Sequence, residues 1–220
     1  MNILVINPIG DDSWNESDKK FFLSVASPTT TVKVLSLDKG PPSVETIRDY
    51  EIVKPLVIDL ALKSHIKYDG LIVNCFLDPG VDELKKLIDK PVVGPGEASL
   101  AFGSIIRGRL GIVSIESEAL RLIEERCNML GYGRVVTSIR GIKTHVVDLA
   151  KDWEKVKMEL IVESRKAIED GAEVIILGCT GLAGLGRIVS ETINKPVVDP
   201  AAAALKMVES LVSLGLRRGR

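Results

Sequence analysis

Short apolar runs alternate with amphipathic stretches along the whole chain. Eight apolar runs are predicted to be strands: NILVINP, TVKVLSL, GLIVNCF, PVVG, LGIVSI, RVVTSI, EVIILGC and PVVDP. They are continuously hydrophobic, which is typical of strands buried on both faces of a parallel sheet. Helical spacing predicts helices over 43–67, 117–130 and 153–170, with Pro55 as a break or kink in the first. The alternation of strand and helix predicts an α/β fold with parallel sheets.

One pattern occurs twice in the chain. DGLIVNCFLDPGVDELKKLIDKPVVGPGEASLA begins at Asp69, and AEVIILGCTGLAGLGRIVSETINKPVVDPAAAALK begins at Ala172. Each copy contains a strand, a cysteine, a turn with glycine, a helix, Pro-Val-Val and a helix rich in small residues. Cys75 and Cys179 stand at matching positions of the two copies. We therefore expect two pseudo-symmetric α/β halves, one of residues 1–100 with 206–220 and the other of residues 101–205.

The two matched cysteines follow strands, at the place where α/β proteins bind ligands. Ligands of open α/β sheets lie beyond the carboxyl ends of the strands. If the halves face each other, the thiols of Cys75 and Cys179 enter one cleft from opposite sides. We expect the N–H groups of the turns that follow to lower the thiol pKa from its reference of about 8.5. Such a pair predicts stereoinversion, in which one thiolate removes a proton and the other thiol returns one to the opposite face.

A single cysteine at the end of a strand is more often a small buried hydrophobe than a reactive group. The matched positions of Cys75 and Cys179 favour the functional interpretation for this pair. Cys127 has no counterpart in the other copy, and we interpret it as a packing residue.

Composition and charge exclude several classes of protein. The 220 residues include 29 basic and 30 acidic side chains, a net charge of −1 that gives no electrostatic footprint for nucleic acid. The basic end Arg217, Arg218 and Arg220 is interpreted as solvated. No apolar segment approaches the roughly 20 residues that cross a bilayer, and the start resembles no signal peptide. Three widely spaced cysteines form no disulfide framework, so we expect a cytoplasmic protein.

Other candidate motifs give weaker signals. VVGPGEAS over 92–99 is a loose match to a dinucleotide loop, and its repeat partner VVDPAAA lacks the glycines, so we expect no nucleotide. His65 and His145 lack ligand partners at helical spacing, which predicts no metal and surface positions for both. The acidic loop with Asp11, Asp12, Glu16 and Asp18 is interpreted as solvated, with a place at the border of the cleft as the alternative.

Five segments together resemble the Asp/Glu/hydantoin racemases, in particular the hydantoin and allantoin racemases. They are INP (6–8), GPPSVET (40–46), NCFLDPGVDELK (74–85), PVVGPGEA (91–98) and LGCTGLAGL (177–185). The resemblance implies two flavodoxin-like α/β halves with the active site in the cleft between them, and a cofactor-independent racemase. It also implies that Cys75 and Cys179 are the catalytic acid/bases and that the substrate pocket is lined by Asn7, Ser43, Val44, Phe76, Thr180 and Gly181.

The residues after each cysteine bear on the substrate. Amino-acid racemases of this superfamily usually have Cys-Asn-Thr and Cys-Thr-His, whereas this chain has Cys-Phe-Leu from Cys75 and Cys-Thr-Gly from Cys179. The motif segments carry no Arg or Lys apart from Lys85 and Lys86, which are interpreted as helix surface. This favours a neutral ring such as a 5-substituted hydantoin or allantoin as the small-molecule substrate. The alternatives are an aspartate or glutamate racemase and a non-catalytic binding module for small carbonyl compounds. A homo-oligomer is expected.

Overall fold

The fold contains two four-stranded sheets with helices packed on them. A computed structural model describes residues 1–106 and 108–217. The strands are β1 (Asn2–Asn7), β2 (Thr31–Ser36), β3 (Gly70–Val73), β4 (Val92–Val93), β5 (Leu110–Ile115), β6 (Val136–Ile142), β7 (Val174–Leu177) and β8 (Val197–Val198). The helices are α1 (Asn15–Val25), α2 (Ile47–Lys63), α3 (Val81–Leu87), α4 (Pro95–Ile106), α5 (Ala119–Met129), α6 (Trp153–Glu169), α7 (Gly186–Ile193) and α8 (Pro200–Ser213). The predicted α/β class is confirmed.

Both sheets have the same topology. The strand order is β2-β1-β3-β4 in the first sheet and β6-β5-β7-β8 in the second, and every pair is parallel. Central residues such as Val5, Ile72, Ile112 and Ile175 have no exposed surface. Burial on both faces explains why the strand sequences are continuously apolar. The predicted pair of pseudo-symmetric halves is confirmed.

The last helix of each half packs on the sheet of the other half. Helix α4 contacts β5, β7 and β8, whereas α8 contacts β3 and β4, and the two helices pack against each other. A Cβ placed on Gly70 of β3 would lie 2.5 Å from Cγ2 of Val208 in α8. Likewise, a Cβ on Gly103 of α4 would lie 3.2 Å from Cδ1 of Ile176 in β7. The sheets are therefore joined through close, apolar helix contacts.

This exchange of helices bears on the domain boundaries. We propose that one unit comprises residues 1–94 and 200–217 and the other residues 95–199, with the boundaries at the starts of α4 and α8. The sequence-based boundaries, after residues 100 and 205, would cut both helices. Residues 218–220, with Arg218 and Arg220 of the basic end, lie outside the described residues, while Arg217 is exposed.

Helix α2 is shorter than the predicted helix over 43–67. It begins after Thr46, whose Oγ1 accepts a hydrogen bond from the N–H of Asp49 at 3.0 Å. The carboxylate of Asp49 accepts in return from the N–H of Thr46 at 2.9 Å, which completes a capping box. The helix continues through Pro55, so the predicted break is wrong. Residues 43–45 remain a loop as a result, and this loop reaches the cleft.

The other two predicted helices agree with α5 and α6 to within two residues at each end. Within the described ranges, no helix combines the length and the apolar character that spanning a membrane requires. The chain thus places the carboxyl ends of its strands, and the loops that follow them, at the surface where the two halves meet.

Candidate active site

A cavity of about 90 Å³ lies between the carboxyl ends of the two sheets. All eight residues predicted for the site line it: Asn7, Ser43, Val44, Cys75, Phe76, Cys179, Thr180 and Gly181. The remaining lining residues come from both halves: Pro8, Ile9, Trp14, Asp18, Pro42, Glu45, Asn74, Leu77, Ser114, Ile115, Ser117, Ala119, Ile123, Val146 and Gly178. The predicted cleft therefore exists, and the chemical roles of its residues stay predictions.

Cys75 follows β3 at the start of a tight loop. The N–H of Asp78 donates to the carbonyl of Cys75 at 3.0 Å, and Asp78 adopts a φ of 52°. Its carboxylate accepts hydrogen bonds from the N–H groups of Gly96 at 2.8 Å and Glu97 at 2.9 Å. A Cβ on Gly94 would lie only 2.1 Å from Oδ1 of Asp78. The glycines of the GPGE segment thus allow Asp78 to approach the start of α4.

Cys179 follows β7 and precedes a short 3-10 helix, Thr180–Leu182. Oγ1 of Thr180 donates to the carbonyl oxygen of Asn74 at 3.1 Å. Since Asn74 directly precedes Cys75, this bond joins the two cysteine loops across the boundary between the halves. A Cβ at Gly181 would lie 3.5 Å from Sγ of Cys179, so the backbone at Gly181 lies against the thiol.

Burial raises the pKa of both thiols, that of Cys75 to about 12 and that of Cys179 to about 11. Hydrogen bonds from the N–H groups of Leu77 and Gly181 act in the opposite direction but are weaker. Negative charge on Cys179 also raises the pKa of Cys75, so the two thiols interact electrostatically. The N–H groups of the turns therefore lower the thiol pKa as expected, but the expected net depression is wrong, because the loss of hydration outweighs them.

Two carboxyl groups also line the cavity: Asp18, for which a place at the border of the cleft was the alternative interpretation, and Glu45, which was not expected there. Asp18 belongs to α1, and burial raises its pKa to about 6, although a hydrogen bond from Asn7 opposes this shift. Glu45 lies in the GPPSVET segment, and its charge and that of Asp18 both raise the pKa of Cys179. Among the described residues, the lining contains no Lys or Arg. The cavity therefore carries carboxyl groups and no compensating cation.

The loop before α2 lines the cavity and contacts the second half. Oγ of Ser43 donates to Oε1 of Glu45 at 2.8 Å, and the N–H of Val146 reaches the same oxygen at 3.3 Å. Nδ1 of His145 lies 2.9 Å from Oε2 of Glu45, and this hydrogen bond raises the pKa of His145. Glu45 thus links the first half to the second. His145 is exposed, as predicted, whereas its pairing with Glu45, 100 residues away in the chain, was not expected.

A cluster of buried charges lies behind the Cys75 loop. Nε of Arg126, in α5, lies 3.3 Å from Oδ2 of Asp78, and the guanidinium also contacts Asp82 and Glu97. Burial raises the pKa of Asp78 to about 7, repulsion from Glu97 adds to this shift, and Arg126 opposes it. The sequence analysis did not single out Arg126, because an arginine in the segment EERCNML carries no sign that it is buried.

The described part of the chain contains no group of three or more His, Cys, Asp or Glu side chains arranged to hold a metal ion. His65 is exposed beyond the end of α2, and His145 pairs with Glu45. The polar side chains that line the cavity include the two thiols, the carboxyl groups of Asp18 and Glu45, and the amides of Asn7 and Asn74.

Known proteins identify the family. A sequence model described as "Asp/Glu/Hydantoin racemase" matches residues 3–208. The hydantoin racemase of Paenarthrobacter aurescens is 32% identical over 223 residues, which cover 100% of this chain and 94% of that protein.

Two solved structures have closely similar folds over the whole chain. The allantoin racemase from Pseudomonas fluorescens superposes with a TM-score of 0.95 at 31% identity, covering 100% of this chain and 94% of that one. The allantoin racemase from Klebsiella pneumoniae gives a TM-score of 0.93 at 28% identity, covering 100% and 90%. The resemblance inferred from the motif segments is confirmed. The chain therefore belongs to the Asp/Glu/hydantoin racemase family and is an enzyme of the isomerase class.

Proposed function

We propose that the chain racemises 5-substituted hydantoins or allantoin by moving a proton between the two faces of the ring without a cofactor. The observation that carries this proposal is that Cys75 and Cys179, at matching positions of the two halves, line one cavity. Relatives named hydantoin racemase and allantoin racemase support the choice of substrate.

The proposed mechanism uses one thiolate and one thiol. The thiolate takes the proton from the stereogenic ring carbon, and the electron pair of that C–H bond moves into the adjacent carbonyl as an enolate. The thiol on the other side then gives its proton to the opposite face of the same carbon. The product is the enantiomer, and the two sulfurs have exchanged their protonation states. A turnover in the reverse direction, or proton exchange with water, restores the starting state.

The high pKa values keep the thiol that donates a proton in its protonated form, and they lower the fraction of the thiolate that acts as the base. With a pKa of about 12, Cys75 is fully protonated near neutral pH and is ready to act as the acid. A thiolate on Cys179, whose pKa is about 11, forms only in a small fraction of molecules. The N–H group of Gly181 stabilises that thiolate. For the opposite direction, Cys75 becomes the base and the N–H of Leu77 has the same role.

The negative charge of the cavity lining favours a neutral ring over an amino acid as the substrate. Asp18 and Glu45 would repel the carboxylates of aspartate or glutamate, and the described lining offers no Lys or Arg to bind them. Phe76 and Val44 offer apolar surface for the substituent on the ring.

Proton exchange in heavy water tests the mechanism and the substrate together. Single enantiomers of several 5-substituted hydantoins, allantoin, aspartate and glutamate are incubated with the protein. Loss of the proton resonance at the stereogenic carbon and decay of optical rotation are followed. We expect hydantoins or allantoin to exchange and racemise, and Cys75→Ser and Cys179→Ser each to abolish racemisation. In each variant, proton exchange should persist only for the enantiomer whose proton the remaining thiolate removes. Cys127→Ala is the matched control, because Cys127 is buried in α5 and does not line the cavity.

Other outcomes distinguish the alternatives. Exchange of aspartate or glutamate alone would keep the two-thiol mechanism and make the chain an amino-acid racemase. Ligand affinity without any exchange, unchanged in both cysteine variants, would identify a binding module. Racemisation that survives Cys75→Ser or Cys179→Ser would refute the role of the cysteine pair.

We also propose that the chain works as a homo-oligomer in the cytoplasm. All three cysteines are free, and the mechanism needs reduced thiols, which a reducing compartment maintains. Large apolar side chains such as Ile105 and Met129 are more than 70% exposed, and closed symmetric assemblies commonly cover such groups. Light scattering coupled to size-exclusion chromatography should give a mass that is a multiple of 23.9 kDa, whereas a monomer would contradict this proposal.

A further inference from the structure

Three polar side chains form a hydrogen-bonded wall on the first-half side of the cavity. Nδ2 of Asn7, at the end of β1, donates to Oδ2 of Asp18 at 2.8 Å and to Oδ1 of Asn15 at 3.0 Å. Nδ2 of Asn74, just after β3, donates to Oδ1 of Asn7 at 2.8 Å and lies 3.4 Å from Oδ2 of Asp18. Asn7, Asp18 and Asn74 all line the cavity.

The carboxylate of Asp18 determines which way both amides point. An ionised carboxylate only accepts hydrogen bonds, so Asn7 must turn its Nδ2 group towards it. Oδ1 of Asn7 then faces Asn74 and needs a donor, which Nδ2 of Asn74 supplies. Oδ1 of Asn74 therefore lies on the far side of its own amide, away from Asn7 and Asp18. The orientation follows from the order of donors and acceptors along the wall.

Oδ1 of Asn74 has no hydrogen-bond partner within residues 1–106 and 108–217. The side chain is only 7% exposed, so this oxygen is also shielded from bulk water. Buried amide oxygens in native proteins are nearly always paired. Because Asn74 lines the active-site cavity, a small shift of its side chain would offer this orphaned acceptor to a donor that arrives with the substrate.

Resting on the proposed function, we propose that Asn74 is a substrate-binding residue whose Oδ1 accepts a hydrogen bond from a ring N–H of a cyclic ureide. In the same proposal, Asp18 is a positioning residue that acts through Asn7. Hydantoins and allantoin carry such N–H groups beside the reacting carbon. A free amino acid at neutral pH also brings at least one carboxylate, which the acceptors Asp18, Glu45 and Asn74 disfavour.

Ligands methylated on nitrogen test this assignment. The affinities of a 5-substituted hydantoin and of its two derivatives, each methylated at one ring nitrogen, are measured by the protection that each gives Cys75 and Cys179 against iodoacetamide. In the wild-type protein, methylation of one of the two nitrogens should weaken binding by about tenfold, the usual effect of losing a buried hydrogen bond. In Asn74→Leu, which has a similar size and no acceptor, the parent ligand should bind about tenfold more weakly and the penalty for methylation should disappear.

A purely steric effect of the methyl group gives a different result. It would produce the same penalty in the wild type and in Asn74→Leu, and this would overturn the assignment, as would equal binding of all three ligands by the wild type. Cys127→Ala should behave as the wild type. If Asn74→Leu does not fold, Asn74→Ala takes its place in the same comparison.

The positioning role of Asp18 has its own readout. As pH falls through about 6, Asp18 takes up a proton, can donate a hydrogen bond and no longer fixes the amides. Hydantoin affinity of the wild type should therefore fall between about pH 8 and pH 5, whereas Asp18→Asn should show no such dependence. The groups that face Asp18 are Asn7, Asn15 and Asn74, with the charges of Cys179 and Glu45 nearby. Equal pH dependence in both proteins would overturn this role.

Optical rotation, followed in parallel, separates this inference from the proposed function. Binding of hydantoins without racemisation would overturn the proposed function, and the comparison of methylated ligands would still decide the role of Asn74. The absence of protection by any hydantoin up to the solubility limit would overturn both.

Discussion

Replacing Arg126 with methionine should strongly destabilise the protein, and the loss should depend on pH. The side chain of Arg126 is 10% exposed and contacts three carboxylates. Its removal leaves Asp78, which is 2% exposed, as an unpaired buried charge. Breaking a buried ion pair in this way typically costs about 3–5 kcal/mol. We therefore expect Arg126→Met to lower the free energy of unfolding by about this amount near pH 8.

The pH dependence follows from the direction of the shift at Asp78. Burial raises the pKa of its carboxyl to about 7 in the folded protein, above the unfolded value near 3.8. The folded state therefore holds an extra proton between about pH 4 and pH 7, and the stability contributed by Asp78 falls as pH rises through this window. Without Arg126 this pKa rises further. At about pH 5.5 Asp78 is neutral in both proteins, so the penalty for Arg126→Met should be about 1.4 kcal/mol smaller than near pH 8, because pH 8 lies about one unit above the wild-type pKa.

Urea unfolding followed by circular dichroism at about pH 8 and pH 5.5 measures both quantities. Arg121→Met is the matched control, since Arg121 lies in the same helix, is 72% exposed and pairs with Glu125 at helical spacing. This variant should lose about 0.5 kcal/mol or less at either pH. The reasoning is refuted if Arg126→Met costs no more than Arg121→Met, or if its penalty is the same at both pH values.

Three further changes test contacts of the site and of the core. Thr180→Val removes the hydrogen bond to the carbonyl of Asn74, so kcat/KM should fall about tenfold and the free energy of unfolding by about 1 kcal/mol. A racemisation assay and urea unfolding measure the two effects, and an unchanged kcat/KM would contradict this expectation. Because burial raises both thiol pKa values, log kcat/KM for racemisation should rise with a slope near 1 from about pH 6.5 to 8.5, and a plateau from about pH 7 would contradict a buried thiolate base. Burial tends to raise the pKa of Glu209, but hydrogen bonds from Thr30 and Ser27 outweigh it and lower this pKa to about 2. The ionised carboxylate therefore contributes stability above about pH 4.5, and this contribution is lost as pH falls towards 2. Glu209→Gln should therefore lower the free energy of unfolding by about 2 kcal/mol at neutral pH, with a smaller loss at about pH 3.

Much of the fold could be predicted because its signals are local and repeated. The central strands are buried on both faces, so each one appears in the sequence as a continuous apolar run such as Ile3 to Ile6. The repeat showed that two distant segments have equivalent structures, and this predicted that Cys75 and Cys179 lie at equivalent strand ends. That placement, with the loop residues of the motif segments, was enough to collect eight residues around one cavity.

The sequence could not predict features that depend on tertiary contacts. The start of α2 depends on the reciprocal hydrogen bonds between Thr46 and Asp49. Because of these bonds, the helix begins only after the loop of residues 43–45. The inclusion of Asp18 in the site depends on how α1 packs beside β1, and a polar helix surface has the same pattern in sequence. The direction of the thiol pKa shift depends on the depth of burial, which the turns that follow the cysteines do not reveal.

The exchange of α4 and α8 between the sheets has a consequence for how the protein can be divided. A fragment that ends at residue 106 would carry α4 without the sheet it covers, and would leave β3 and β4 without α8. Two fragments expressed separately should therefore expose apolar faces until they meet, and together they should restore the cavity. The two halves are thus obligate partners within one chain, because each carries a helix that covers the sheet of the other.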